Sequence, residues 1–139
     1  MSIELKEIPG VDSRWETCWK IRALVVGGRN PVEAALARWQ REHPKDFKAI
    51  MKVMKMAAGS ASRLASPKHV KKSSDKSHGD VYEMIAYTGV ARLMFFYDEA
   101  DQSVIICTNE HQKSQGDQGA AFLLSAGLRD YYLGKRNTK

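Results

Sequence analysis

Arg92, His111, Lys113 and Tyr132 are the side chains of this sequence best suited to chemistry on a charged substrate. An arginine fork matches a phosphate through two parallel hydrogen bonds. Histidine is the side chain that exchanges a proton near neutral pH. Lys113 supplies a point charge, and a tyrosine can stack on a base or polarise a leaving group. A second set, Lys68, Lys71, Lys72, Arg129 and Tyr131, is suited to holding a polyanion's backbone. The stretch Lys68 to Lys76 carries four lysines against one acid, Asp75. Each residue also has a plainer reading: a lysine run is often only solvated, a lone histidine is often inert, and one of the two tyrosines packs on a sheet.

The elements that must position these groups follow from periodicity. Asn30 is an N-cap, Pro31 suits the first helical position, and Ala35, Leu36 and Trp39 recur at helical spacing until His43-Pro44. A second helix runs from about Lys45 to Ala58, with Phe47, Ile50, Met51 and Met54 on one face and lysines opposite, and Gly59 as its stop. The two read as an antiparallel hairpin. Residues 60–79 are basic and serine-rich and read as a mobile connection. The period then changes. Val81–Tyr87, Ala91–Tyr97 and Ser103–Thr108 are strands separated by short polar turns, an antiparallel meander with Phe95 and Tyr97 on one face and Phe96 on the other. Residues 119–133 return to helical spacing. Ahead of the hairpin, residues 3–12 read as a strand or an irregular lead-in, and residues 14–26 as helix or strand. The expected fold class is α+β: an antiparallel sheet packed against an N-terminal helical hairpin, with a C-terminal helix.

Composition bounds the function. The 139 residues suit one domain, 1–139, whose first 30 residues are an extension of unknown role. Lys and Arg outnumber Asp and Glu 22 to 16, a net charge of +6 that favours a polyanionic or acidic partner. No apolar run approaches the ~20 residues of a membrane helix, and Met1 to Gly10 lacks a signal-peptide core, so a cytoplasmic location without membrane contact is expected. Two distant cysteines make no disulfide framework, and Cys107, in an aliphatic run, reads as a buried thiol. The four histidines show no ligand spacing with them, so no metal is expected.

The order of these features resembles the RelE/HigB-type toxins of bacterial and phage toxin–antitoxin pairs. The residues carrying the likeness are Val81-Tyr82-Glu83-Met84, Ala91-Arg92-Leu93-Met94-Phe95-Phe96-Tyr97, Val104-Ile105-Ile106, Lys113 and the stretch Ala126 to Tyr132, following two helices and a lysine-bearing loop. The likeness spans roughly Leu36 to Tyr132 and leaves the first 30 or so residues outside it. It implies a microbial-RNase fold that cleaves mRNA, usually on the ribosome, without metal or organic cofactor, and that a cognate antitoxin neutralises. The chain departs from the pattern at two positions. Ile85 stands where the family often has an arginine, and Gln112 precedes Lys113 where it often has a lysine pair.

Cleavage by the 2′-hydroxyl needs a base for its proton, cations for the charged phosphorane and an acid for the leaving 5′-oxygen. Arg92, Lys113, His111 and Tyr132 are the residues assigned to catalysis, and Lys68, Lys71, Lys72, Arg129 and Tyr131 to RNA binding. Glu83 is read as structural. Two other readings stand beside this one. The departures suit a non-catalytic toxin of ParE type, acting on a protein target such as DNA gyrase. The charge alone suits a basic nucleic-acid-binding accessory protein of a phage.

Overall fold

A computed structural model describes residues 1–100, 103–113 and 118–137, the side chains of 136 and 137 excepted. Asn30 caps the first helix as its spacing predicts: Oδ1 accepts the Glu33 N–H at 3.0 Å, and Pro31 opens α1 (Pro31–Glu42). α2 (Pro44–Ala58) begins one residue after α1 ends, so His43 is C-cap to one helix and N-cap to the next. The apolar stripes of both helices, including Val32, Leu36, Trp39, Ile50 and Met54, are buried in one cluster.

The strands are β1 (Ile3–Glu7), β2 (Lys20–Val26), β3 (Val70–Lys72), β4 (Tyr82–Ile85), β5 (Ala91–Asp98) and β6 (Val104–Gln112). They form one six-stranded sheet in the order β1-β2-β6-β5-β4-β3. The β4-β5-β6 meander is antiparallel, as expected. The sheet as a whole is mixed, which corrects the expectation of an antiparallel one: β2 runs parallel to β6. A parallel neighbour needs a long crossover, and here α1, α2 and the meander supply it. Residues 1–30 therefore supply β1 and β2, which extend the sheet beyond β6. β2 buries Ile21 and Ala23 beneath the helices and Leu24 on the reverse face. A strand covered on both faces reads as an unbroken apolar run, which hides the alternation that would mark it.

The connection between α2 and β4 is also more structured than its composition suggests. It contains β3, paired with β4 from Val70↔Met84 to Lys72↔Tyr82. It then makes a 3-10 turn, Lys76–His78, whose His78 ring is buried and shares a 2.8 Å hydrogen bond with the Ser73 hydroxyl.

Helix α3 (Gln118–Asn137) lies across the face opposite α1 and α2. Phe122 and Ala126 pack with Val81, while Leu128 and Tyr132 pack on the cluster of Leu24, Phe96, Val104 and Ile106. Phe95 and Tyr97 face α1 and α2, and Phe96 faces α3, as strand alternation requires. Cys107 is fully buried, and burial pushes its thiol up to about 12.

Candidate active site

Successive side chains of a strand alternate faces, so register decides which residues meet. Lys71 stands opposite Glu83, Glu83 opposite Met94, Ile85 opposite Arg92, and Arg92 opposite His111. All of these belong to the face that α3 partly covers. Beyond the N-terminal end of α3 they line a cleft of about 380 Å³ formed by Lys71, Glu83, Ile85, Arg92, His111, Lys113 and Gln118. Arg92, His111 and Lys113, singled out from the sequence, thus come together, and Lys71 joins them from the edge strand.

His111 reaches this face only because β6 carries an irregularity. Met94 pairs with Asn109 but Phe95 pairs with Cys107, leaving Thr108 as an extra residue in β6. A bulge of this kind puts two consecutive side chains on one face. Both turn toward α3: the Thr108 hydroxyl bonds the Ser125 hydroxyl at 2.6 Å, and Asn109 Nδ2 donates to the Ala121 carbonyl at 3.1 Å. Without the extra residue, His111 would share the face of Cys107 and point at α1. The same parity places Gln112 on the α1 side, where it borders a groove with Arg38 and Glu110. A lysine at position 112 would also face away from the cleft, so this departure from the family pattern removes no cation from it.

Arg92 is held as much by the hairpin as by the cleft. Its Nη1 donates to the carbonyls of Ala91 at 2.9 Å and Gly89 at 3.2 Å, with Ala86 at 3.5 Å. The hairpin is pinned in turn by Asp46 of α2, whose carboxylate accepts the N–H groups of Val90 at 2.8 Å and Ala91 at 3.0 Å. Lys113 is anchored through its backbone, its N–H donating to the Val90 carbonyl at 2.8 Å.

Glu83, read from sequence as structural, is the residue that changes the chemistry of the cleft. It is 1% exposed. Its Oε1 accepts from Gln118 Nε2 at 2.6 Å, whereas Oε2 is buried without a hydrogen-bond partner among the described residues. Burial raises its carboxyl above the ordinary glutamate value, and Arg92, the Gln118 bond and Lys71 pull the other way. A buried carboxylate oxygen lacking a donor, beside Arg92 and Lys71, is a candidate proton acceptor. The sequence shows only that Glu83 and Ile85, two apart on one strand, share a face; the register that sets Ile85 opposite Arg92 brings Glu83 to the cleft.

The other residues singled out from sequence lie elsewhere. Tyr132 donates to Asp98 at 2.8 Å and packs on Phe96 with ring centroids 5.8 Å apart. Asp98 ends β5, six residues from Arg92, or roughly 20 Å along an extended strand. Tyr131 donates to the Met1 carbonyl at 3.4 Å. Arg129 pairs with Asp130 at 3.0 Å and lies against Gly79, so closely that a Cβ there would strike it. Strand alternation separates the lysine run. Lys71 faces the cleft, Lys72 lies on the opposite face and pairs with Asp80 at 2.8 Å, and Lys68 precedes the strand with its ammonium 5.2 Å from the centre of the Tyr87 ring.

Among the described residues, no group of three or more His, Cys, Asp or Glu side chains is arranged to hold a metal ion, and no helix is long and apolar enough to cross a membrane. The fold and cleft define an α+β protein with a cationic site around one buried carboxylate. Comparison with protein-family profiles, curated proteins and solved structures gave no match.

Proposed function

We propose that the chain is an endoribonuclease of the RelE/HigB toxin kind, cleaving mRNA by attack of its own 2′-hydroxyl. The observation that carries this reading is the cleft that gathers the Glu83 carboxylate with Arg92, His111, Lys71 and Lys113. The Glu83 carboxylate takes the 2′-hydroxyl proton. The 2′-oxygen bonds to phosphorus, and charge builds on the non-bridging oxygens beside Arg92, Lys71 and Lys113. His111 gives a ring proton to the 5′-oxygen as the phosphorus–oxygen bond breaks. The products are a 2′,3′-cyclic phosphate and a 5′-hydroxyl.

Strand order suits this division of labour. β5, carrying Arg92, lies between β4 with the base and β6 with the acid. Adjacent strands are about 4.8 Å apart, so the Cα atoms of Glu83 and His111 are separated by roughly 10–12 Å, room for a phosphate between two side chains. Phosphate charge is met by protein cations, so the reading assigns the reaction no metal or organic cofactor. A cognate antitoxin and translating ribosomes are the partners this reading implies.

The test is incubation of purified protein with mRNA, with and without translating ribosomes. Cleavage yielding cyclic-phosphate ends, abolished in Glu83→Gln and His111→Ala, is expected. Intact mRNA under both conditions would sink the reading. A second reading is favoured by Ile85, which puts an apolar side chain in the cleft where an arginine would suit an RNase. On that reading the chain is a toxin that binds a protein such as gyrase, and its expression raises DNA-damage signalling while mRNA stays whole.

A further inference from the structure

The stacking role expected of Tyr131 and Tyr132 falls to neither of them near the cleft, since one is tied to Met1 and the other to Asp98. Tyr87 is different. It is 56% exposed, and every other tyrosine, tryptophan and phenylalanine among the described residues is half-buried or buried. It sits in the β4–β5 hairpin, two residues after Ile85, which lines the cleft. The carbonyls of Ala86 and Gly89, on either side of it, are two of the three that accept from Arg92 Nη1.

The hairpin presents this ring on a stiff support. Thr88 has φ 68°, a left-handed conformation that a β-branched residue adopts only when its surroundings impose it. Gly89 N–H donates to the Ala86 carbonyl at 2.8 Å, and a Cβ at Gly89 would collide with the Asp46 carboxylate. Asp46 thereby excludes other residues from position 89 while clamping the two N–H groups that follow. More than half of this ring stays open to solvent, and a strained turn holds it two residues from Ile85 of the cationic cleft. Lys68 lies over the ring, placing a positive charge beside an aromatic face. An aromatic plane with an adjacent cation is the recurring device for holding one nucleotide of a single strand: the ring takes the base and the cation takes the phosphate.

We propose that Tyr87 and Lys68 form the subsite for the nucleobase flanking the scissile phosphate of single-stranded RNA, an inference that rests on the nuclease reading above. Every base has a π-face, so the subsite selects single-strandedness and stacking strength, with purines preferred over pyrimidines, rather than one base.

Binding of fluorescein-labelled oligoadenosine RNA, followed by anisotropy, tests it. Tyr87→Leu is expected to weaken binding about 5- to 100-fold, the worth of one stacked base, while Tyr87→Trp binds as well as the parent. An abasic nucleotide walked along the RNA should weaken binding by the parent at one position next to the cleavage site. The same nucleotide should cost little further in Tyr87→Leu, because the partner of the stack is already gone. Unchanged binding by Tyr87→Leu, or abasic and Leu effects that simply add, overturns the subsite and leaves the nuclease reading standing. Failure of the parent to bind RNA at all overturns both. Since Tyr87 is exposed, an unaltered melting curve for the Leu variant separates lost stacking from lost folding.

Discussion

Replacing Glu83 with glutamine should raise stability while abolishing cleavage. Gln keeps the volume and can still accept the Gln118 bond, but it carries no charge and takes no proton at neutral pH. The Glu83 carboxylate is buried with Oε2 lacking a donor, and the burial of that charge, which the neutral amide relieves, costs about 1–3 kcal/mol. Arg92 and Lys71 offset part of that cost, so a net gain of about 1 kcal/mol is expected, or ~3–4 °C in Tm for a domain of this size. The pH dependence follows from the direction of the shift. Burial raises the carboxyl above its ordinary 4.5, so the folded protein holds this proton more tightly than the unfolded chain does. Its favourable contribution is complete below the unfolded value and is lost as pH rises through the folded one. The Tm difference between Glu83→Gln and the parent should therefore be small near pH 4 and larger at pH 7. Cleavage should fall about 10²- to 10⁴-fold, the usual worth of a general base. RNA binding should not weaken, because a negative charge has left a cationic cleft. Differential scanning fluorimetry across pH, with a gel assay for cleavage, measures all three. Cleavage within tenfold of the parent, or a Tm gain larger at pH 4 than at pH 7, would refute the role given to this carboxylate.

His111→Ala should lower cleavage about 10²- to 10⁴-fold while RNA binding persists, because the proton donor to the 5′-oxygen is lost; cleavage within tenfold of the parent would contradict this. Lys113→Ala should lower the slope of log Kd for single-stranded RNA against log salt by about 0.7, one phosphate contact; an equal slope would place Lys113 off the RNA path. Asp46→Ala leaves the Val90 and Ala91 N–H groups without their charged acceptor, so a destabilisation of about 2–4 kcal/mol by urea titration is expected, with reduced cleavage as the Arg92 hairpin loosens. Removing residues 1–30 strips β1 and β2 from the sheet and bares the β6 edge, so the truncated chain should be insoluble or molten; a cooperative melt would show those two strands to be dispensable.

Local chemistry made much of this molecule legible from its sequence. The Asn30-Pro31 start, the His43-Pro44 break and the Gly59 stop bound two helices, because capping and proline geometry act within a few residues. The alternation of Phe95, Phe96 and Tyr97 assigned faces correctly, since a strand's period is a property of its own backbone. Pairing between distant segments was not legible. Nothing in Ile21-Arg22-Ala23-Leu24 announces a strand parallel to β6, and three residues of β3 carry too little pattern to be heard. Lys71 and Lys72 are adjacent in sequence, yet the sheet sends them to opposite faces, one to the cleft and one to Asp80. The bulge at Thr108 is the sharpest case. One unpaired residue, settled by how β6 lies against β5 and α3, decides whether His111 stands beside Arg92 or beneath α1. Residue types and local period are written in the chain. Which side chains share a cleft is a matter of register, and register is set by contacts between segments far apart in sequence.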